Sequence, residues 1–104
     1  MYNLLRMLKA AGDETRLRVL RMLAVKPLCV CEVMSVLRMA QSTASKHLKL
    51  LAESGLISAA PGGSWTIYSL AKAPAGSPAA RVLELVRRAQ APDQSRKDAA
   101  LAKD

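Results

Sequence analysis

Apolar positions recur at helical spacing over the first half of the chain and change period in the middle. Leu17, Val19, Leu20, Leu23 and Ala24 repeat along one side, Arg16, Arg18 and Arg21 fall on other faces, and Asp13 stands where an N-cap belongs. This predicts an amphipathic helix over residues 13–25, stopped by Pro27. A short second helix is expected over residues 30–37, followed by a link through Arg38, Met39 and Ala40. Residues 41–54 then divide into an apolar stripe of Ala44, Leu48 and Leu51 and a polar, basic one of Ser42, Ser45, Lys46 and Lys49.

After Gly55, a candidate C-cap, the period becomes two: residues 57–60 and 65–70 read as strands, joined by a turn at Pro61, Gly62, Gly63 and Ser64. Residues 72–78 read as loop. A last helix is expected over residues 78–91, with Val82, Leu85, Val86 and Ala89 on one stripe, and the N-terminal segment carries Leu4, Leu5 and Leu8. The order helix, short link, helix, hairpin describes a mainly α fold with a small β-hairpin, the winged helix-turn-helix. Apolar stripes on both end helices predict a homodimer joined through them.

Composition narrows the chemistry. A chain of 104 residues accommodates one domain, here expected over residues 1–91, with a C-terminal tail over 92–104 expected to be flexible. Aromatic residues are only 3% of the chain, so the core falls to Leu, Val, Met and Ala, which favour helices. No long apolar run or signal-like N-terminus occurs, and the expected location is the cytoplasm, with no membrane partner. The net charge is +8, and all of the excess lies in residues 1–91, because Arg96, Lys97 and Lys103 are balanced by Asp93, Asp98 and Asp104. The basic part is the folded part, which points to a polyanion. RNA modules usually supply stacking aromatics, and this chain has Trp65 and two tyrosines only.

Small hydroxyls at the start of a basic helix can approach base edges, and exposed helix N–H groups attract phosphate. Gln41, Ser42, Thr43, Ser45, Lys46, His47 and Lys49 are therefore the candidate contacts to double-stranded DNA, with a merely solvated face as the plain alternative. Cys29 and Cys31, the only cysteines, sit just upstream. Two soft thiolates at this spacing suit a thiophilic ion better than a structural disulfide. Burial as small apolar side chains and thiol oxidation are the alternatives. His47, the only histidine, reads as packing or touching phosphate rather than binding metal. The chain has no C-x-x-C motif, no Gly-rich phosphate loop and no nucleophile with an identifiable base, so no catalytic residue is assigned and an enzyme is not expected.

Three segments, DETRLRVLRML, PLCVCEV and QSTASKHLKLL, together with SWTIYSL, resemble the arsenic-responsive ArsR (ArsR/SmtB-type) family of winged-helix repressors over about residues 13–70. The resemblance implies a homodimeric repressor on operator DNA. It implies release when As(III) or Sb(III) binds Cys29 and Cys31, with no cofactor required. Oxidation of the thiols, another soft metal ion, or no ligand response would be the alternatives. Met34 stands where relatives often have a third cysteine, so a dithiolate site completed by water, hydroxide or a small thiol is expected. A helix separates residues i and i+2 by about 200°, which predicts that ligand capture must distort the helix start. Ala40 replaces a common capping Ser, the wing over residues 59–64 lacks Lys and Arg, and Trp65 reads as a packing residue. No His or Cys lies in the C-terminal helix, and Glu84 alone makes no second metal site.

Overall fold

A computed structural model of the chain describes residues 2–62 and 65–89. The expected tail over 92–104 and the turn residues Gly63 and Ser64 lie outside the described residues. Five helices, α1 (Tyr2–Ala11), α2 (Glu14–Val25), α3 (Val30–Leu37), α4 (Gln41–Glu53) and α5 (Pro78–Ala89), accompany three strands, β1 (Leu28–Cys29), β2 (Ile57–Gly62) and β3 (Trp65–Leu70). Asp13 caps α2 as its position suggests, its carboxylate accepting the Arg16 backbone N–H at 3.0 Å. That bond holds the Asp13 carboxyl below its usual pKa.

Each helix ends for a local reason. α4 closes in a Schellman turn: the Gly55 N–H reaches the Ala52 carbonyl and the Leu56 N–H reaches the Leu51 carbonyl. Gly55 sits at φ 89°, where a side chain would be strained. α3 ends on Arg38 in the left-handed region, at φ 54°, the one non-glycine residue there among the described residues. α5 begins with Pro78 at its first position, and Ser77 Oγ accepts the Ala80 N–H.

The core forms around α2, whose Val19, Leu20 and Met22 are fully buried, against Val33 of α3, Ala44, Leu48 and Leu51 of α4, and Leu83 of α5. The end helices divide their apolar residues differently from the expected stripes. Met7 and Ala10 of α1 and Val82, Leu83 and Val86 of α5 turn inward, whereas Leu5 and Leu8 stay about half exposed and Leu85 is 64% exposed.

One strand was not legible. β1, only Leu28 and Cys29, pairs antiparallel with β3 and extends the hairpin to a sheet of order β1-β3-β2. Leu28 faces Tyr68, and Cys29 faces Ile67. Two residues after Pro27 carry no alternation to read, so only tertiary pairing reveals the strand. Trp65 also departs from expectation. It pairs with Gly62 at the turn end of the hairpin, away from the core, and stays 58% exposed.

Candidate functional site

Cys29 belongs to two elements at once. It ends β1, locked to β3, and it is the extended N-cap residue of α3, at φ −92° and ψ 167°. Cys31 lies two residues on, in the first turn of α3. The backbone therefore bends between the two cysteines, and their Sγ atoms stand 2.7 Å apart. The opposed directions expected of an i, i+2 pair do not arise, because that geometry needs both residues inside a regular helix. No unwinding is required for both sulfurs to meet one atom.

The two thiols differ in surroundings: Cys29 is buried and Cys31 exposed. Burial, then the Cys31 hydrogen bond and the neighbouring Glu32 carboxylate, push the Cys29 thiol up to about 11, so it is protonated at neutral pH. Glu32 Oε1 accepts the Cys29 backbone N–H at 2.9 Å and fastens the start of α3. That role was readable, since an acidic residue three positions after a helix-start candidate is the capping-box spacing.

A soft centre with sulfur bonds of about 2.3 Å holds two thiolates about 3.5 Å apart, so a small rotation of exposed Cys31 would open the pair enough. Among the described residues, no group of three His, Cys, Asp or Glu could hold a metal ion. Met34, the residue at the expected third position, is half-buried in α3. The site thus offers two protein sulfurs, with Cys31 giving access from solvent.

α3 packs on α4, so the thiol pair and the basic helix share one scaffold. Gln41, Ser42, Thr43, Lys46 and Lys49 are exposed on α4, while Ser45 and His47 are half-buried. Ala40, the N-cap residue, supplies no side-chain hydrogen bond, so the first N–H groups of α4 have no side-chain cap. His47 leans away from the exposed set: its Nδ1 lies 3.3 Å from a guanidinium nitrogen of Arg16 in α2. Nothing in the sequence pattern pointed to that pairing across 31 positions. On the wing, Ala59, Ala60 and Pro61 are exposed and none carries charge.

Comparison with known proteins places this architecture. A family model described as bacterial regulatory protein, arsR family, matches residues 13–59. The structure superposes with a TM-score of 0.69 on a homodimeric winged helix-turn-helix DNA-binding domain from Mycobacterium bovis, described as a possible ArsR-family transcriptional regulator. The two share 30% identity, over 83% of this chain and 76% of that one.

The chain belongs to the ArsR family.

As an ArsR-family chain it has the fold of DNA-binding transcription regulators, and it resembles members of several kinds. Reduced HlyU from Vibrio cholerae is 31% identical, with a TM-score of 0.69 over 84% of this chain and 87% of that one. The arsenical resistance operon repressor of Escherichia coli K12 is 39% identical over 67 residues, 64% of this chain and 57% of that repressor. An uncharacterized HTH-type transcriptional regulator of Methanocaldococcus jannaschii is 41% identical over 61 residues, which span 68% of its length. The chain therefore spans about half to two thirds of the length of the curated relatives it matches. No helix among the described residues is long and apolar enough to cross a membrane.

Proposed function

We propose that this ArsR-family protein is a cytoplasmic homodimeric repressor that holds operator DNA through α4 and lets go when As(III) or Sb(III) is captured by Cys29 and Cys31. The observation that carries the reading is the convergence of the two sulfurs at 2.7 Å on the start of α3, one buried and one open to solvent. The arsenical resistance repressors among its relatives favour the same inducer.

The protonated state of Cys29 suits a metalloid. Arsenite at neutral pH is the uncharged trihydroxide, and capture exchanges ligands without any change of oxidation state. Two S–H and two As–O bonds break, two S–As bonds form, the thiol protons leave on the departing hydroxides as two waters, and one hydroxide stays on arsenic. A divalent cation must instead push those protons into solvent, against a thiol held near 11. Burial of Cys29 in this way favours metalloid over dication.

For DNA, Ser42, Thr43 and Gln41 at the open start of α4 face base edges and phosphate, with Ser45, Lys46, His47 and Lys49 along the same helix as further contacts. Leu5, Leu8 and Leu85, left exposed on α1 and α5, are the surface for the second copy, which sets two α4 helices on half-sites about 34 Å apart. Capture replaces the contact between the two sulfurs with bonds to arsenic and rotates Cys31 in the first turn of α3, the helix on which α4 packs. A hundredfold loss of operator occupancy needs only about 2.7 kcal/mol of difference between bound and free forms.

Adding arsenite to the reduced protein should produce ultraviolet sulfur-to-arsenic absorption saturating at one arsenic per chain. Cys29→Ser and Cys31→Ser should each abolish that saturation. Undiminished absorption in either variant would refute the paired site.

A further inference from the structure

The side chain of Arg16 in α2 touches three other residues at once. Its Nε donates to the Ala10 carbonyl at 2.7 Å, one terminal nitrogen lies 3.4 Å from the Lys9 carbonyl, and the other lies 3.3 Å from His47 Nδ1. The two carbonyls belong to the last turn of α1, where helix C-terminal oxygens lack intrahelical donors and gather negative potential. His47 belongs to α4. One guanidinium therefore spans from the end of α1, across α2, to the helix assigned to DNA.

The third contact, as a hydrogen bond, calls for one tautomer of the ring. A guanidinium carries five donors and no acceptor, so in this contact Nδ1 must be the acceptor. A ring that accepts at Nδ1 carries its hydrogen on Nε2, which leaves a directed donor on the far side of the ring. Asp13, at the cap of α2, accepts the Arg16 backbone N–H and so holds the start of the helix that carries the guanidinium.

We propose that Arg16 is a positioning residue for DNA recognition: it clamps α4, through His47, to the end of α1. The inference rests on the reading of α4 as the recognition helix and of Leu5 and Leu8 on α1 as part of the dimer surface. Under that reading, the strut transmits the placement of the dimer helix to the helix that must enter the groove, so the spacing of the two half-sites depends on it. Arg16 itself need not touch DNA.

Because the chain has one histidine, its ring nitrogens give an unambiguous 15N spectrum. At pH 8 the wild-type dimer should show the Nε2–H tautomer, and Arg16→Met should collapse it toward a mixture. On a duplex selected from a random-sequence pool, Arg16→Met should lower affinity about tenfold or more, the scale of one charge-assisted hydrogen bond, while leaving the salt dependence unchanged. His47→Ala, which spares the bonds to α1, should lower affinity as well, and adding it to Arg16→Met should cost little more. Arg16→Lys, which keeps the charge and loses the fork, should restore only part of the affinity. Unchanged tautomer signals in Arg16→Met, or fully additive losses in the double variant, would overturn the strut while leaving DNA recognition by α4 intact. Failure of the wild-type protein to select any duplex would instead overturn the recognition reading, and the strut with it.

Discussion

The starts of α3 and α4 lie close in sequence and are built in opposite ways. α3 starts closed: Cys29 is pinned to β3 on one side, its N–H is taken by Glu32, and its side chain is buried. α4 starts open: Ala40 provides no side-chain cap, and Gln41, Ser42 and Thr43 are all exposed. A closed start keeps two sulfurs in register for a small ligand. An open one leaves N–H groups and hydroxyls for a large anion to complete. Under the proposed function, one scaffold would use two helix starts for two tasks and distinguish them by capping.

The comparison breaks most visibly under salt. If the open start and its lysines meet about six phosphates, affinity for a selected duplex should fall about a thousandfold between 50 and 200 mM salt. Lys46→Ala should weaken all sequences alike and reduce the salt slope by about one, checked by fluorescence anisotropy. A flat salt response would mean that the open start meets no backbone.

A smaller effect sharpens the assignment of base contacts. Ser42→Ala or Thr43→Ala should cost about 1–3 kcal/mol of discrimination at one base position while preserving the salt slope, measured on single-substitution duplexes. Loss spread evenly over all sequences would move the residue from base edge to phosphate.

The smallest effects test the caps themselves. Glu32→Ala should cost about 1 kcal/mol of stability and Ala40→Ser should add about as much, both read by urea denaturation. If Ala40→Ser stabilises the free protein yet weakens DNA binding, the open start is a functional trade rather than a neutral loss.

Much of this architecture was legible before any coordinates. Capping by Asp13, the turn at Gly55 and the stripe of Ala44, Leu48 and Leu51 placed α2 and α4 because helical period and cap chemistry are local signals. β1 escaped because two residues have no period, and its pairing with β3 depends on the fold. That omission hid the bend between Cys29 and Cys31, so the thiols were expected to diverge when they in fact meet. Trp65 was misjudged for a related reason: alternation predicts which face a residue takes, and beside the turn at the tip of the hairpin that face lies beyond the core. The contact of Arg16 with His47 joins separate helices and leaves no mark in local pattern.

The central claim is that metalloid capture at the closed start empties the open one. A single titration tests it: arsenite added to the protein bound to a selected fluorescent duplex, with anisotropy and ultraviolet absorption followed together. The account predicts that release and sulfur-to-arsenic absorption rise in step in the wild type, and that Cys29→Ser binds the duplex normally and keeps it. Full absorption with the duplex still held, or normal release from Cys29→Ser, would contradict it.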